Sequence, residues 1–391
     1  MLGQTLANIG DVLYMVSIIS VIFLLTESAT AASFVPFTIT TAMFISSLLT
    51  PLLIGKVNLK WLIAGSQISK TVILIMLGLL LFGLTEANYY FIFLLIGVIA
   101  FLDGCAHPIM QTLIPHYVPA DRLLRANGII ESVTQIIQAM MWFVGSMFLL
   151  IMSQQQLIWV VAILFAISSV LLCLLDQVYH ESSPTKNQFE QVKAGWKTLV
   201  NTPVLKTIAS MEIIETIAST VWIAAILYVF VSDALQVGES WWGYINGAFF
   251  IGLILGSLYC VKYASFIEKK LGSFIFIGSL VSCLITVLFS VNSMPSIALI
   301  LSLGIGLFTQ IKSVPLQTII QTSVEKHRLA TVYTSLGALG TGIFGIGSLL
   351  IGVLSDLFGV RIVFIISACL LAIASIIVYQ RKHLFIKRVT D

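Results

Sequence analysis

Long apolar runs, each of about 18 to 25 residues, follow one another along this 391-residue chain and restrict its fold more than any other feature. A helix of that length crosses the hydrocarbon core of a bilayer and satisfies its own backbone hydrogen bonds there. The runs are too long and too continuously apolar for the strands of a membrane barrel. The sequence therefore predicts an all-α membrane protein with twelve transmembrane helices. The predicted spans are 2–25, 31–54, 61–83, 90–113, 125–151, 156–179, 203–231, 241–262, 273–291, 296–321, 329–354 and 361–379.

The composition argues against a soluble protein and the motifs argue against an enzyme. Hydrophobic residues make up 59% of the chain and charged residues 9%, whereas soluble domains have about 25% charged residues. The five cysteines fall within predicted spans without paired spacing, which argues against a disulfide framework or a zinc site. No phosphate-binding loop, nucleophile elbow or zinc-protease motif occurs. We therefore expect no enzyme activity, no cofactor and no bound metal.

The placement of the basic residues predicts the orientation in the membrane. With the N-terminus in the cytoplasm, Arg361 is the one basic residue in an outer connection, and Lys70 and Lys312 lie within spans. The rest of the 20 Lys and Arg residues lie on the inner side, as the positive-inside rule requires. We therefore expect both termini in the cytoplasm, with the lipid bilayer and not nucleic acid as the partner of these charges. The first run lacks the basic start and cleavage site of a signal peptide, so it is predicted to be a true span.

A polar stretch between the sixth and seventh spans divides the chain. Residues 1–179 are predicted to form an N-terminal six-helix bundle, and 203–391 a C-terminal six-helix bundle with a short basic cytoplasmic tail. The cytoplasmic linker between them, 180–202, has the pattern of a short amphipathic helix at the membrane surface. The sequence QTLI of the fourth span recurs as QTII in the tenth. Internal repeats of this kind are typical of secondary transporters, whose substrate site lies where the repeats meet.

Polar residues within the spans recur at helical spacing and fall on one face of each helix. Each such residue is costly in lipid and needs a partner, a cavity or water. The first, fourth, fifth, seventh and tenth spans carry these stripes, whereas the third, sixth, ninth and twelfth carry almost none, Lys70 being the main exception. The pattern predicts an inner ring of helices around a polar cavity and an outer ring facing lipid. The predicted cavity-lining residues are Gln4, Asn8, Tyr14, Gln111, Gln135, Gln138, Trp142, Trp222, Gln310 and Gln317.

Ionisable side chains within the spans are the candidates for binding protons or the charged groups of a substrate. Asp11 is the foremost of them, because it lies near the mid-depth of the first span. The full set of candidates is Asp11, Asp103, His107, Glu131, Glu212, Glu215 and Lys312.

Three of these placements leave alternatives open. Asp103 and His107 lie one turn apart, so they could share a proton or a hydrogen bond, or His107 could serve packing alone. Glu212 and Glu215 lie less than one turn apart, so either one of them holds a proton at neutral pH or water solvates both. Lys312 points away from the glutamine stripe of its own helix, which suits a structural ion pair with a neighbouring helix or a ligand for an anionic group.

On these features the chain resembles, over its whole length, transporters of the major facilitator superfamily. More narrowly, it is similar to the bacterial branch that contains enterobactin exporters and macrolide-efflux proteins. The first span with Gln4, Asn8 and Asp11, and the segment PIMQTLIPHYVPADRLLRAN at 108–127, carry that similarity. Two features depart from the pattern. The loop GKVNLK, which starts at Gly55, lacks the aspartate and arginine of the superfamily's motif, and the fifth span lacks the proline-containing glycine motif of drug–proton antiporters.

The resemblance implies a secondary active transporter, a monomer in the bacterial plasma membrane, that exports a small molecule by proton antiport with alternating access. A drug, a siderophore or metallophore, or a similar polar metabolite is the implied cargo. A cavity with acids, a histidine and a lysine suits a zwitterionic metabolite at least as well as a cationic drug. A nutrient importer or facilitator of the same fold is one alternative. A membrane sensor or scaffold that does not transport is an alternative of another class.

Overall fold

The computed structural model describes residues 2–26, 29–54, 57–85, 88–174, 188–222, 224–238 and 240–385. Within these ranges the chain is helical apart from short connections and one isolated bridge between Ile54 and Val57. The α-helices, numbered in chain order, are Leu2–Thr26 (α1), Ala29–Leu49 (α2), Leu59–Leu80 (α3), Tyr90–Tyr117 (α4), Leu123–Ile151 (α5), Gln154–Cys173 (α6), Gln188–Asn201 (α7), Pro203–Ser219 (α8), Ala224–Val229 (α9), Ser240–Lys262 (α10), Ala264–Glu268 (α11), Leu271–Val291 (α12), Pro295–Ser323 (α13), Lys326–Phe358 (α14) and Val360–Arg381 (α15).

Each predicted span coincides with one of these helices, except the seventh, which corresponds to α8 and α9 together. Within the described ranges, nine helices are long and apolar enough to cross a membrane, and a tenth is added when the bent helix pair of the seventh span is counted as one. The prediction of an all-α membrane protein is thereby confirmed. The agreement follows from the apolar runs themselves, because in lipid only a helix satisfies the backbone within one segment.

The seventh span is bent, where the apolar run predicted one continuous helix. Its two segments, Pro203–Trp222 and Ile226–Ala234, meet at an angle of 46°. The hydroxyl groups of Ser219 and Thr220 donate back to the carbonyl oxygens of Thr216 and Ile217, at 2.9 and 2.7 Å. Such back-bonding by Ser and Thr competes with the helical ladder and bends helices. The apolar pattern alone does not show it, because the apolar run continues from one segment into the other.

The linker between the halves contains the predicted amphipathic helix, now observed as α7. Gly195 on this helix lies so close to α14 that a Cβ atom there would collide with the Thr331 carbonyl group and the Ser335 side chain. A glycine therefore allows α7 to pack directly on the first turns of α14. Residues 175–187, which include the first part of the predicted linker, lie outside the described residues, as do residues 386–391 of the predicted basic tail.

Residue contacts group the described chain into two compact units. The first contains Met1–Leu113, Ile136–Gly195 and Ala330–Thr341, and its core is formed by apolar side chains of α1, α2, α3, α4 and α6. The second contains Ile114–Gln135, Trp196–Leu329 and Gly342–Asp391. Residues 123–135, nearly half of α5, thus group with helices of the second half, and residues 330–341 of α14 group with helices of the first half. The predicted boundaries of the two bundles remain a prediction.

Within the second unit, α10 and α13 pack through small residues. A Cβ atom on Gly252 would collide with the Leu303 carbonyl group, and one on Gly306 would collide with the Phe249 carbonyl group. Glycine allows the two backbones to approach at these crossings, as is typical of helix pairs in membranes. The close approach holds α13 in place, and α13 carries Gln310, Lys312 and Gln317.

We expect Gly252→Ala to lower the free energy of unfolding by about 1–3 kcal/mol, because the added methyl group forces two backbones apart. Gly247→Ala on the same helix is the matched control, since nothing lies within 4 Å of that position, and the better helix propensity of alanine is expected to leave its stability unchanged or slightly raised. Thermal unfolding of the purified proteins, followed by tryptophan fluorescence, measures both. Equal melting temperatures for the two variants would contradict the close α10–α13 packing.

Candidate functional site

A buried lysine forms the centre of the first candidate site. Lys70 on α3 donates from Nζ to the Asp11 carboxylate on α1 at 2.8 Å and to the Asp103 carboxylate on α4 at 2.9 Å. The Lys70 side chain is 1% exposed, whereas Asp11 and Asp103 are 21% and 31% exposed. The Phe165 ring of α6 lies 4.9 Å from the ammonium group. One cation is therefore shared by two carboxylates on helices that the apolar core of the first unit holds together.

Close packing of α1 on α6 places the aromatic ring over the ammonium. Gly10, next to Asp11, lies so near the Phe165 ring that a Cβ atom would collide with it. When all three groups are ionised, Asp11, Lys70 and Asp103 carry one net negative charge. Charges are expensive in this environment unless they are paired. The cluster of Asp11, Lys70 and Asp103, called here the first charge cluster, therefore favours a further positive charge or a proton.

The first charge cluster bears on the Asp103–His107 pair, which the sequence left open. Asp103 accepts its hydrogen bond from Lys70, and within the described ranges no hydrogen bond joins it to His107, whose side chain is exposed. Tyr14, one turn beyond Asp11, is buried at 3% exposure. Near the start of the same helix, Gln4 donates to Asn8 at 3.0 Å. The polar stripe of α1 thus leads along one face toward Asp11.

A second charge cluster lies in the second unit. Lys312 on α13 donates from Nζ to the Glu215 carboxylate on α8 at 2.7 Å, and Ser279 on α12 donates to the other oxygen of that carboxylate at 3.1 Å. Both charged side chains are largely buried, at 13% and 12% exposure. Of the two readings of Lys312, the structure shows the ion pair with a neighbouring helix. Glu212 lies on α8 less than one turn from Glu215, so this cluster also combines two acids with one lysine.

The two charge clusters occupy equivalent helices of the two sequence halves. Each has an acid on the first helix of its half, and its other members lie on the third and fourth helices. Lys70 and Ser279 lie as far apart in the sequence as Asp103 and Lys312 do. The lysine thus lies on the third helix in the first half and on the fourth helix in the second half. The internal repeat therefore extends from the sequence to the positions of the charged groups.

A third polar group surrounds Glu131 on α5. Its carboxylate accepts hydrogen bonds from the amide nitrogens of Gln317 at 3.0 Å and Gln310 at 3.2 Å, both on α13. Gln135, one turn along α5, adds a contact of 3.5 Å. One turn in the other direction, the buried Asn127 side chain donates to the Gln321 side chain at 2.8 Å. Four residues from the predicted polar stripes of two helices therefore meet at one place in the second unit. They are Glu131 and Gln135 of α5 and Gln310 and Gln317 of α13.

The remaining predicted residues are placed as follows. The Trp222 ring packs on Phe289 and Phe364, with centroid distances of 4.7 and 5.5 Å. The side chain of Trp142 lies outside the described part of the chain. Gln111 and Gln138 are partly buried. Across the described residues, no three His, Cys, Asp or Glu side chains are grouped so that they could hold a metal ion.

The sequence-based list of site residues missed Lys70 and Ser279. Both lie on the third helix of their half, which the polar stripes assigned to the lipid-facing ring. Lys70, already the main exception to that assignment, is the central residue of the first charge cluster. A signal was present, because a lysine in the middle of an apolar span requires an acidic partner. A serine gives no such signal, since single serines in membrane helices commonly bond to their own backbone.

Comparison with known proteins agrees with this architecture. The family model of the Major Facilitator Superfamily matches residues 1–333 and 211–387. The chain is 30% identical to the uncharacterized MFS-type transporter YfmI of Bacillus subtilis, over 96% of this chain and 93% of that protein.

Two solved structures share the fold. The human organic anion transporter MFSD10 superposes with a TM-score of 0.78 at 10% identity, over 96% of this chain and 97% of that one. The fucose:proton symporter FucP of E. coli superposes with a TM-score of 0.76 at 12% identity, over 97% of this chain and 98% of that one.

The match to a transporter family model and to a relative named as a transporter places this bundle of apolar helices among membrane transporters and not among enzymes. The chain belongs to the Major Facilitator Superfamily. Transporters of this superfamily handle small-molecule substrates. The charged groups within the helices are therefore the candidate residues for energy coupling and for substrate binding.

Proposed function

We propose that the protein is a secondary active exporter of a small polar molecule that works by proton antiport and alternating access. It acts as a monomer in the bacterial plasma membrane with both termini in the cytoplasm, and the branch of enterobactin exporters and macrolide-efflux proteins is its proposed position in the superfamily. The observation that carries the proposal is the first charge cluster, in which one buried lysine serves two carboxylates.

The proposed coupling follows from the charge of this cluster. With Asp11 and Asp103 both ionised, Lys70 neutralises one of them and one negative charge is left over. A proton on either carboxylate makes the cluster neutral and removes the cost of keeping that charge away from water. Two states that differ by one proton thus differ in how readily the helices close around the cluster. Proton uptake on one side of the membrane and release on the other would drive the cycle.

The direction of transport comes from the proposed branch. FucP, a fucose:proton symporter with the same fold, supports the use of protons. Accumulation in everted vesicles indicates export, whereas accumulation in right-side-out vesicles indicates the alternative, a nutrient importer. The same probe serves both, namely a uniformly ¹³C-labelled metabolite extract of the host cells, analysed by mass spectrometry.

We expect Asp11→Asn to reduce proton-driven accumulation of the transported metabolite by at least about tenfold, because the neutral amide cannot take up or release the coupling proton. Everted vesicles that contain the wild type should lose accumulation when a protonophore is added. Asp121→Asn is the matched control, since Asp121 lies outside the spans with a side chain that is 75% exposed. Accumulation that persists unchanged with the protonophore would contradict proton coupling.

A further inference from the structure

Glu131 differs from Asp11, Asp103 and Glu215 in the kind of group that it contacts. Asp11 and Asp103 are paired with Lys70, and Glu215 with Lys312. Among the residues that the structure describes, no Lys, Arg or His lies within ion-pair distance of Glu131, which is held by neutral amide groups alone. Amide dipoles stabilise a carboxylate but leave its negative charge uncompensated. The position is therefore prepared for a positive charge that the described chain does not supply.

The hydrogen-bonding groups around Glu131 indicate what kind of cation fits. Gln135 directs its amide nitrogen toward the carboxylate, while its carbonyl oxygen is buried and accepts no hydrogen bond in the described structure. A buried acceptor without a donor is destabilising, because it has lost its hydrogen bonds to water. A ligand that carries N–H groups satisfies this oxygen and the carboxylate together. A quaternary ammonium ion has no N–H group, and a hard metal ion requires more oxygen ligands than one carboxylate provides.

We propose that Glu131 and Gln135 bind a protonated primary or secondary amine of the cargo. The inference rests on the proposed function, because it assigns the chemical class of the transported molecule. An ammonium group at Glu131 competes with Gln310 and Gln317 for the carboxylate oxygens. Since α5 comes from the first sequence half and α13 from the second, occupancy by the amine releases a link between helices of the two halves. Cargo binding and helix rearrangement are coupled in this way.

The experiment measures equilibrium binding to the purified full-length protein without any gradient. Four probes share one phenethyl skeleton: phenethylamine, its trimethylammonium analogue, phenethyl alcohol and phenylpropionate. Isothermal calorimetry gives each dissociation constant. For the wild type we expect phenethylamine to bind at least about tenfold more tightly than the other three, as a charge-assisted hydrogen bond predicts. Glu131→Gln is expected to abolish this preference, and Asp121→Asn is expected to retain it.

A second variant separates charge from hydrogen bonding. Gln135→Met keeps the carboxylate and removes the unpaired carbonyl oxygen, so it should prefer both cations to the alcohol without distinguishing the amine from its trimethyl analogue. A wild type that shows no preference for the amine, or a preference that survives Glu131→Gln, overturns the proposal. These outcomes are independent of the protonophore test, because amine binding at equilibrium does not depend on antiport.

Discussion

Replacing Lys70 by methionine is expected to abolish transport and to lower the free energy of unfolding by about 3–5 kcal/mol, the usual cost of removing one partner from a buried ion pair. Methionine keeps most of the length of the side chain but leaves Asp11 and Asp103 without a cation. Lys70 is 1% exposed, so water cannot replace its ammonium group. Thermal unfolding of the purified protein and accumulation in everted vesicles measure the two effects.

A double variant tests whether charge is the cause. Adding Asp103→Asn to Lys70→Met removes one of the two unpaired carboxylates and should recover a large part of the lost stability, whereas transport should stay absent. The double-mutant cycle gives the interaction energy between the two residues. If Lys70→Met unfolds at the wild-type temperature, or if the second change brings no recovery, the buried ion pairs are not what holds α1, α3 and α4 together.

Replacing Lys312 by methionine is expected to lower the free energy of unfolding by about 2–3 kcal/mol, less than the change at Lys70. Here a single carboxylate, that of Glu215, loses its cation, and Ser279 still donates to it. The pair is also less completely buried, at 13% and 12% exposure. Transport should fall as well, because Glu212 and Glu215 are then two neighbouring acids on one helix with no lysine to compensate their negative charge. The same unfolding and vesicle measurements apply.

The reversed pair is the control for the second charge cluster. Glu215→Lys combined with Lys312→Glu keeps one cation next to one anion and should restore much of the stability that either single reversal removes. Greater stability in Lys312→Met than in the wild type would show that the ion pair costs more in desolvation than it contributes.

The apolar runs were sufficient to predict the helices because the bilayer imposes one solution on a long hydrophobic segment. They did not predict the bend after Ser219, since that bend comes from hydroxyl groups bonding locally to the backbone. The polar stripes included Glu131 on α5 and Gln310 and Gln317 on α13, and these side chains meet in the structure. Helical spacing identifies the face of a helix but not the helix that it contacts.

The sequence by itself determined that the chain forms long apolar membrane helices and which polar faces they carry, because hydrophobic length and helical periodicity are local properties of the chain. The tertiary structure alone decided how the charges are paired. Lys70 pairs with Asp11 and Asp103, and Lys312 pairs with Glu215. Within the described part of the chain, Glu131 is held by amide groups and by no cation. Pairing is a matter of distances of about 3 Å between residues far apart in the sequence, and no local pattern encodes them.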